Sequence, residues 1–324
     1  MMLSRHAESL FWIGRYVERA EYTTRMLDVT YHGLLESAAW ESDRAWLDLL
    51  DVLRLTAAFE ARGEPLGPEA VNRFLVLDRG NPDGIASAIE SARENARSVR
   101  ELIPSELWQT LNAFHLMLRS RDLAGDLATQ PYDLYEAVKQ RCQTVAGVVA
   151  DTMTRDDGWR FLTIGRRLER AQMTCRLLSV RYRGLTEVSF HEWLAALKSA
   201  SAAEAFRKAH RGSTHPGDVV DFLLLSPVFP RSVLFCLRAA EAELDVLGTE
   251  FGRMTRPQRL LGRIRSELEF CDLQEMLEGE LSAHLDRLEG DVRWVCEAVA
   301  VEYFRNSHEF TPPSPILPLV RGGT

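Results

Sequence analysis

No Cys-x-x-Cys pair occurs in this 324-residue chain, and its five cysteines (Cys142, Cys175, Cys236, Cys271 and Cys296) lie far apart. That spacing excludes a recognisable structural zinc site and reads as thiols used as small apolar side chains in a reducing compartment. No apolar run approaches the roughly 18–20 residues that a membrane helix requires. The patch Leu10–Ile13 is too short for a leader peptide and runs straight into Arg15, Glu18 and Arg19. A formal charge of −8 lacks the basic field that nucleic-acid phosphates attract. Neither nucleic acid nor membrane is therefore an expected partner, and a cytoplasmic location is expected.

Local catalytic signatures are missing too. The chain has no Gly-x-Gly-x-x-Gly or Gly-x-x-x-x-Gly-Lys phosphate loop, no Gly-x-Ser-x-Gly elbow and no His-Glu-x-x-His. Asp28 and His32, Glu187 and His191, and Glu280 and His284 share an i,i+4 spacing. A di-iron bundle would instead need Glu-x-x-His pairs from two helices with further glutamates, so no metal and no cofactor are expected. Alternating β-branched runs bounded by hairpin turns are absent as well.

What is present is helical periodicity. Hydrophobic residues make up 46% of the chain and charged ones 27%, enough for a substantial core. Segments 85–103, 134–153 and 281–304 place apolar residues three, four and seven apart. Turn signals interrupt them at 62–68, 79–82, 211–216 and 226–230. Asn81-Pro82-Asp83 predicts a helix start with an Asn cap and Pro at the first position. Asp156-Asp157-Gly158 predicts a capped turn. The tryptophans, Trp294 included, sit in helical patterns and are expected as core anchors.

One phrase occurs twice. Ile13-Gly14-Arg15-Tyr16-Val17-Glu18-Arg19-Ala20 returns as Ile164-Gly165-Arg166-Arg167-Leu168-Glu169-Arg170-Ala171, and 14 of 27 positions match between 10–36 and 161–187. A second match sets Pro68, Val71, Phe74, Leu75, Leu77 and Pro82 against Pro216, Val219, Phe222, Leu223, Leu225 and Pro230. These correspondences predict an all-α protein of two duplicated multi-helix halves, packed as one bundle-like unit. The halves would be 1–157 and 158–306, of five or six helices each. A Pro-rich tail at 307–324 would follow as an extended or unstructured strap.

On a helix, Leu10, Ile13, Val17, Ala20, Thr24, Leu27 and Tyr31 form a core stripe, while Arg15, Glu18, Arg19, Tyr22 and Arg25 lie opposite. Phe11 and Met26 share that charged side, which implies that it too is covered, by the other half or by a partner. Glu18 is expected to be shared between Arg15 and Arg25. If the halves obey an approximate two-fold axis, Arg15 and Glu18 would pair with Glu169 and Arg166. Three readings stay open: exposed pairs worth ~0.2–0.5 kcal/mol each, a buried ion network that fixes packing, or a binding site for an anionic group. The candidate binding residues are Arg15, Glu18, Arg19, Arg25, Arg166, Glu169, Arg170 and Arg176.

Leu3-Ser4-Arg5, then residues 10–21, and later Gly158-Trp159-Arg160-Phe161-Leu162 ahead of the second phrase, together resemble the alpha-E family, an all-helical domain named for its Glu-Arg motif. Glu18-Arg19 and Glu169-Arg170 both carry that pair. The resemblance implies association with a circularly permuted ATP-grasp protein and a transglutaminase-like protein. It further implies a role in making or modifying peptide amide bonds. The leading expectation is a helical accessory subunit of such an amide-ligase system, binding its partner or an acidic ligand through the twin Glu-Arg helices. One alternative is an enzyme in its own right, with Glu18 or Glu169 as acid/base beside the arginines. Another is a scaffold whose ion network only fixes packing.

Overall fold

The computed structural model describes residues 2–35, 39–183, 190–211, 215–249, 252–279 and 281–304. Among these the protein is all-α, with no strand. Two long helices organise it, α1 (Ser4–Leu35) and α9 (Asp157–Arg183), which pack against each other along much of their length. Both are buried on most of their circumference, α9 burying residues on every face from Phe161 to Val180. A helix enclosed all round belongs at the centre of a fold.

The remaining helices wrap this pair. Against α1 lie α5 (Ile85–Ser98) and α8 (Pro131–Thr152), with α6 (Ser105–Ser120) outside them. Against α9 lie α13 (Val233–Gly248) and α16 (Leu281–Tyr303), with α14 (Arg256–Glu269) outside. Two helices cross over: α2 (Ala39–Val52) packs on α9 as well as α1, and α10 (Phe190–Ser199) on α1 as well as α9. One continuous apolar cluster runs through all of them. The buried face of α5 is Ile85, Ala88, Ile89, Ala92 and Ala96, and its short alanines let α1 approach closely.

Short elements fill the connections: α3 (Thr56–Glu60), α4 (Pro68–Asn72), α7 (Leu123–Thr129), α11 (Ala203–His210), α12 (Pro216–Leu225) and α15 (Leu273–Glu278). The described residues before Asp157 thus hold eight α-helices, more than the five or six expected, because single turns such as α3 and α4 have too few residues to show a period. The stretches matched at Pro68 and Pro216 differ in winding. After α4 the chain continues as a short π-helix over Arg73–Leu77, whereas α12 is α-helical to Leu225.

The helix start predicted at Asn81 lies elsewhere. Asn81 accepts the Asp83 amide at 3.1 Å and donates to the Phe74 carbonyl at 3.1 Å, so its side chain closes a turn, and α5 begins at Ile85. Asp156 does cap α9, accepting the Trp159 amide at 3.2 Å. Trp46 and Trp193 are fully buried, but Trp294 is 56% exposed on α16. Its position on the outer face of that helix explains the failed expectation. Segment 307–324, with Glu36, Gly184 and Glu187, falls outside the described residues.

Candidate functional site

The glycine of each repeated phrase sets the geometry of the site. A Cβ on Gly14 would stand 2.1 Å from the Leu162 carbonyl oxygen, and one on Gly165 would stand 2.1 Å from that of Phe11. No side chain fits between backbones this close, so glycine is required here by space and not by dihedral angle. The crossing brings the charged residues that follow each glycine face to face across the helix pair.

The pairing is reciprocal. Arg15 Nε donates to Glu169 Oε2 at 2.6 Å, and Arg19 straddles the same carboxylate at 2.7 and 3.2 Å. In return, Arg170 Nε and Nη2 donate to Glu18 Oε1 and Oε2, each at 2.6 Å. Arg166 Nε approaches Glu18 Oε2 at 3.6 Å. The cross-helix pairs expected from a two-fold relation are therefore present. The expected sharing of Glu18 by Arg15 and Arg25 is not: Arg15 crosses to Glu169, and Arg25 bonds Glu21, one turn away, at 2.8 Å. Arg25 starts two turns from Glu18, and Glu21 lies on its own row of the helix surface.

Further residues extend each end. Arg19 also pairs with Asp83, at the turn before α5. Arg15 Nη2 donates to Gln172 at 2.8 Å, and Arg176 pairs with Glu289 of α16 at 2.8 Å. At the opposite end Arg231, just before α13, donates to Glu18 at 3.1 Å and also to Glu21. Arg167 and Arg170 each donate to the Pro230 carbonyl at 3.2 Å. Sequence reasoning missed Glu21, Asp83, Arg231 and Glu289. A signal existed for two of them: Asp83 and Arg231 follow Pro82 and Pro230, the matched prolines.

Burial is deep. Glu18 and Glu169 are each 1% exposed and Arg170 is 3% exposed. Burial alone would push both carboxyls up. At Glu18 it is outweighed by Arg170, Arg231 and Arg166, which hold the group well below the usual carboxylate range. At Glu169 Arg15 and Arg19 outweigh it and bring the value down to about 2. The partners respond in the opposite sense: despite burial, Arg170 is pushed up by Glu18 and Arg19 by Glu169. Both glutamates therefore stay ionised at neutral pH, and bidentate guanidinium pairing occupies their oxygens. Among the described residues no group of three or more His, Cys, Asp or Glu side chains could hold a metal ion. No helix among them is long and apolar enough to cross a membrane.

A model of a predicted alpha-helical domain with a conserved ER motif, named Alpha-E, matches residues 2–304. The chain belongs to the Alpha-E family. In this Alpha-E chain the Glu-Arg dipeptide is Glu18-Arg19 in α1 and Glu169-Arg170 in α9, and the four side chains cross-pair between the helices. It is similar to uncharacterized proteins of Mycobacterium bovis and Mycobacterium tuberculosis, 25% identical over 296 residues, or 85% of this chain. The matched stretch spans 33% of those relatives, so the chain covers about a third of their length. No solved structure matches it.

Proposed function

We propose that the Alpha-E chain is a non-catalytic helical subunit of a cytoplasmic amide-ligating ATP-grasp system, and that its Glu-Arg pairs are the clamp that holds α1 to α9. The observation that carries this reading is the state of the two glutamates. A general acid/base must reach its substrate and exchange a proton near the working pH. Glu18 and Glu169 are 1% exposed, bonded at both oxygens by arginine, and held far below neutral pH. Those properties suit an internal clamp and disfavour the acid/base alternative.

The circularly permuted ATP-grasp partner comes from the family resemblance, and the transglutaminase-like protein is the second candidate. The mycobacterial relatives, with two-thirds of their length outside the match, have room for a further domain on the same chain. The test is co-purification with an ATP-grasp partner, followed by ATP turnover with and without this chain. Turnover that rises with wild type and also with a folded Glu169→Gln variant supports a non-catalytic subunit. Turnover and product indifferent to the chain would overturn the reading.

A further inference from the structure

The two ends of the clamp carry different charge. Around Glu169 three carboxylates (Glu169, Asp83 and Glu289) meet three guanidinium groups (Arg15, Arg19 and Arg176). Around Glu18, Glu18 and Glu21 are the carboxylates that face Arg166, Arg167, Arg170 and Arg231 among the described residues, with Arg25 and Glu136 beyond Glu21. The difference traces in part to two positions. Where the first turn has Asp83 after Pro82, the second has Arg231 after Pro230, and where α1 has Tyr16, α9 has Arg167; Glu21 in place of Gln172 offsets one of these charges.

The surplus is concentrated on two side chains. Arg170 and Arg231 spend most of their donors on carboxylates, but among the described residues Arg166 has Glu18 at 3.6 Å as its single ion-pair partner, and its side chain is 27% exposed. Arg167 donates to the Pro230 carbonyl at 3.2 Å, also bonds Cys236, lies over the Phe235 ring at 5.1 Å, and has no carboxylate partner among the described residues. Burial, then the like charge of Arg170, pushes the Arg166 guanidinium down to about 10. Burial likewise lowers Arg167. A structural clamp alone gives no reason for adjacent guanidinium groups that repel their neighbours and have one carboxylate, at 3.6 Å, between them. An anion seated between them would relieve that repulsion.

We propose that Arg166 and Arg167, backed by Arg170 and Arg231, form a binding site for the phosphoryl group of a small ligand. The choice of phosphoryl follows from the charge: a phosphate monoester brings about two negative charges at neutral pH, and a surplus of this size suits it better than a single carboxylate. The site does not depend on an ATP-grasp partner, so its failure and the failure of the proposed function are separately visible.

The test uses the full chain with inorganic phosphate as probe. Thermal melting is followed against phosphate, with chloride and succinate at matched ionic strength. Equilibrium dialysis with labelled phosphate gives the stoichiometry without any variant. The expected result is saturable binding of one equivalent, at least tenfold tighter than succinate, with a melting temperature that rises and then levels. The Arg166→Gln/Arg167→Gln variant should bind at least tenfold more weakly and lose the phosphate-dependent rise in melting temperature. Three results would overturn the proposal: dialysis showing no bound phosphate, a shift matched by chloride, or binding undiminished in the variant. If the double variant does not fold, Arg166→Gln alone carries the same comparison.

Discussion

A glutamate taken out of water keeps its charge only where neighbouring cations return more than burial removes. Glu18 and Glu169 meet that condition with two or three arginines apiece, and their charge depends on the fold. The sign of the pH dependence follows. A group whose value is depressed in the folded state adds stability above its unfolded value and loses it as pH falls through the folded value. The ordinary value is 4.5, Glu169 falls to about 2, and Glu18 falls as well. The loss should begin just below pH 4.5 and deepen toward pH 2. Melting temperature followed downward from about pH 6 should drop through that window, and Glu169→Gln should show a shallower slope, by up to one proton. An identical acid slope in the variant and wild type would refute the assignment. At this scale the sequence was legible where one helix carried the whole pattern: the i,i+3 and i,i+4 spacing put Arg15, Glu18 and Arg19 on one face. It was not legible where the partner came from a distant element. Nothing near Glu289 marks it as the acceptor for Arg176, because that contact depends on how α16 packs.

At the scale of elements, the controlling feature is the approach of α1 to α9. The arginine–glutamate pairs reach one another only because Gly14 and Gly165 let the backbones nearly touch. Gly14→Ala or Gly165→Ala must separate the helices, with a cost of about 3 kcal/mol or more, at the upper end for overpacking. Gly147 offers the contrast. It lies exposed within α8 with nothing near its absent Cβ, so Gly147→Ala should stabilise by about 0.4–1 kcal/mol. Urea unfolding of the three variants checks both signs, and a Gly14→Ala variant as stable as wild type would mean that the close crossing is wrong. Helices α5, α8 and α16 were readable from period alone, and α9 from its repeat of the α1 phrase. Short ones were not, and Asn81 misled because its side chain closes a turn that ends before the helix begins.

At the scale of the molecule, the α1–α9 pair is the axis on which the other helices are hung, and the clamp sits where the two helices cross. The balanced end around Glu169 and the electropositive end around Glu18 share one construction but carry different charge. On this account the first serves packing, and the second combines packing with recognition of an anion. The most direct measurement of the clamp is a double-mutant cycle on Glu18 and Arg170, using Glu18→Gln, Arg170→Gln and the double variant in equilibrium unfolding. Each single change should cost about 3–5 kcal/mol by stranding a buried charge. The double variant should recover about 2 kcal/mol of coupling relative to the summed singles. Single costs below about 0.5 kcal/mol that simply add, as exposed pairs give, would contradict the account.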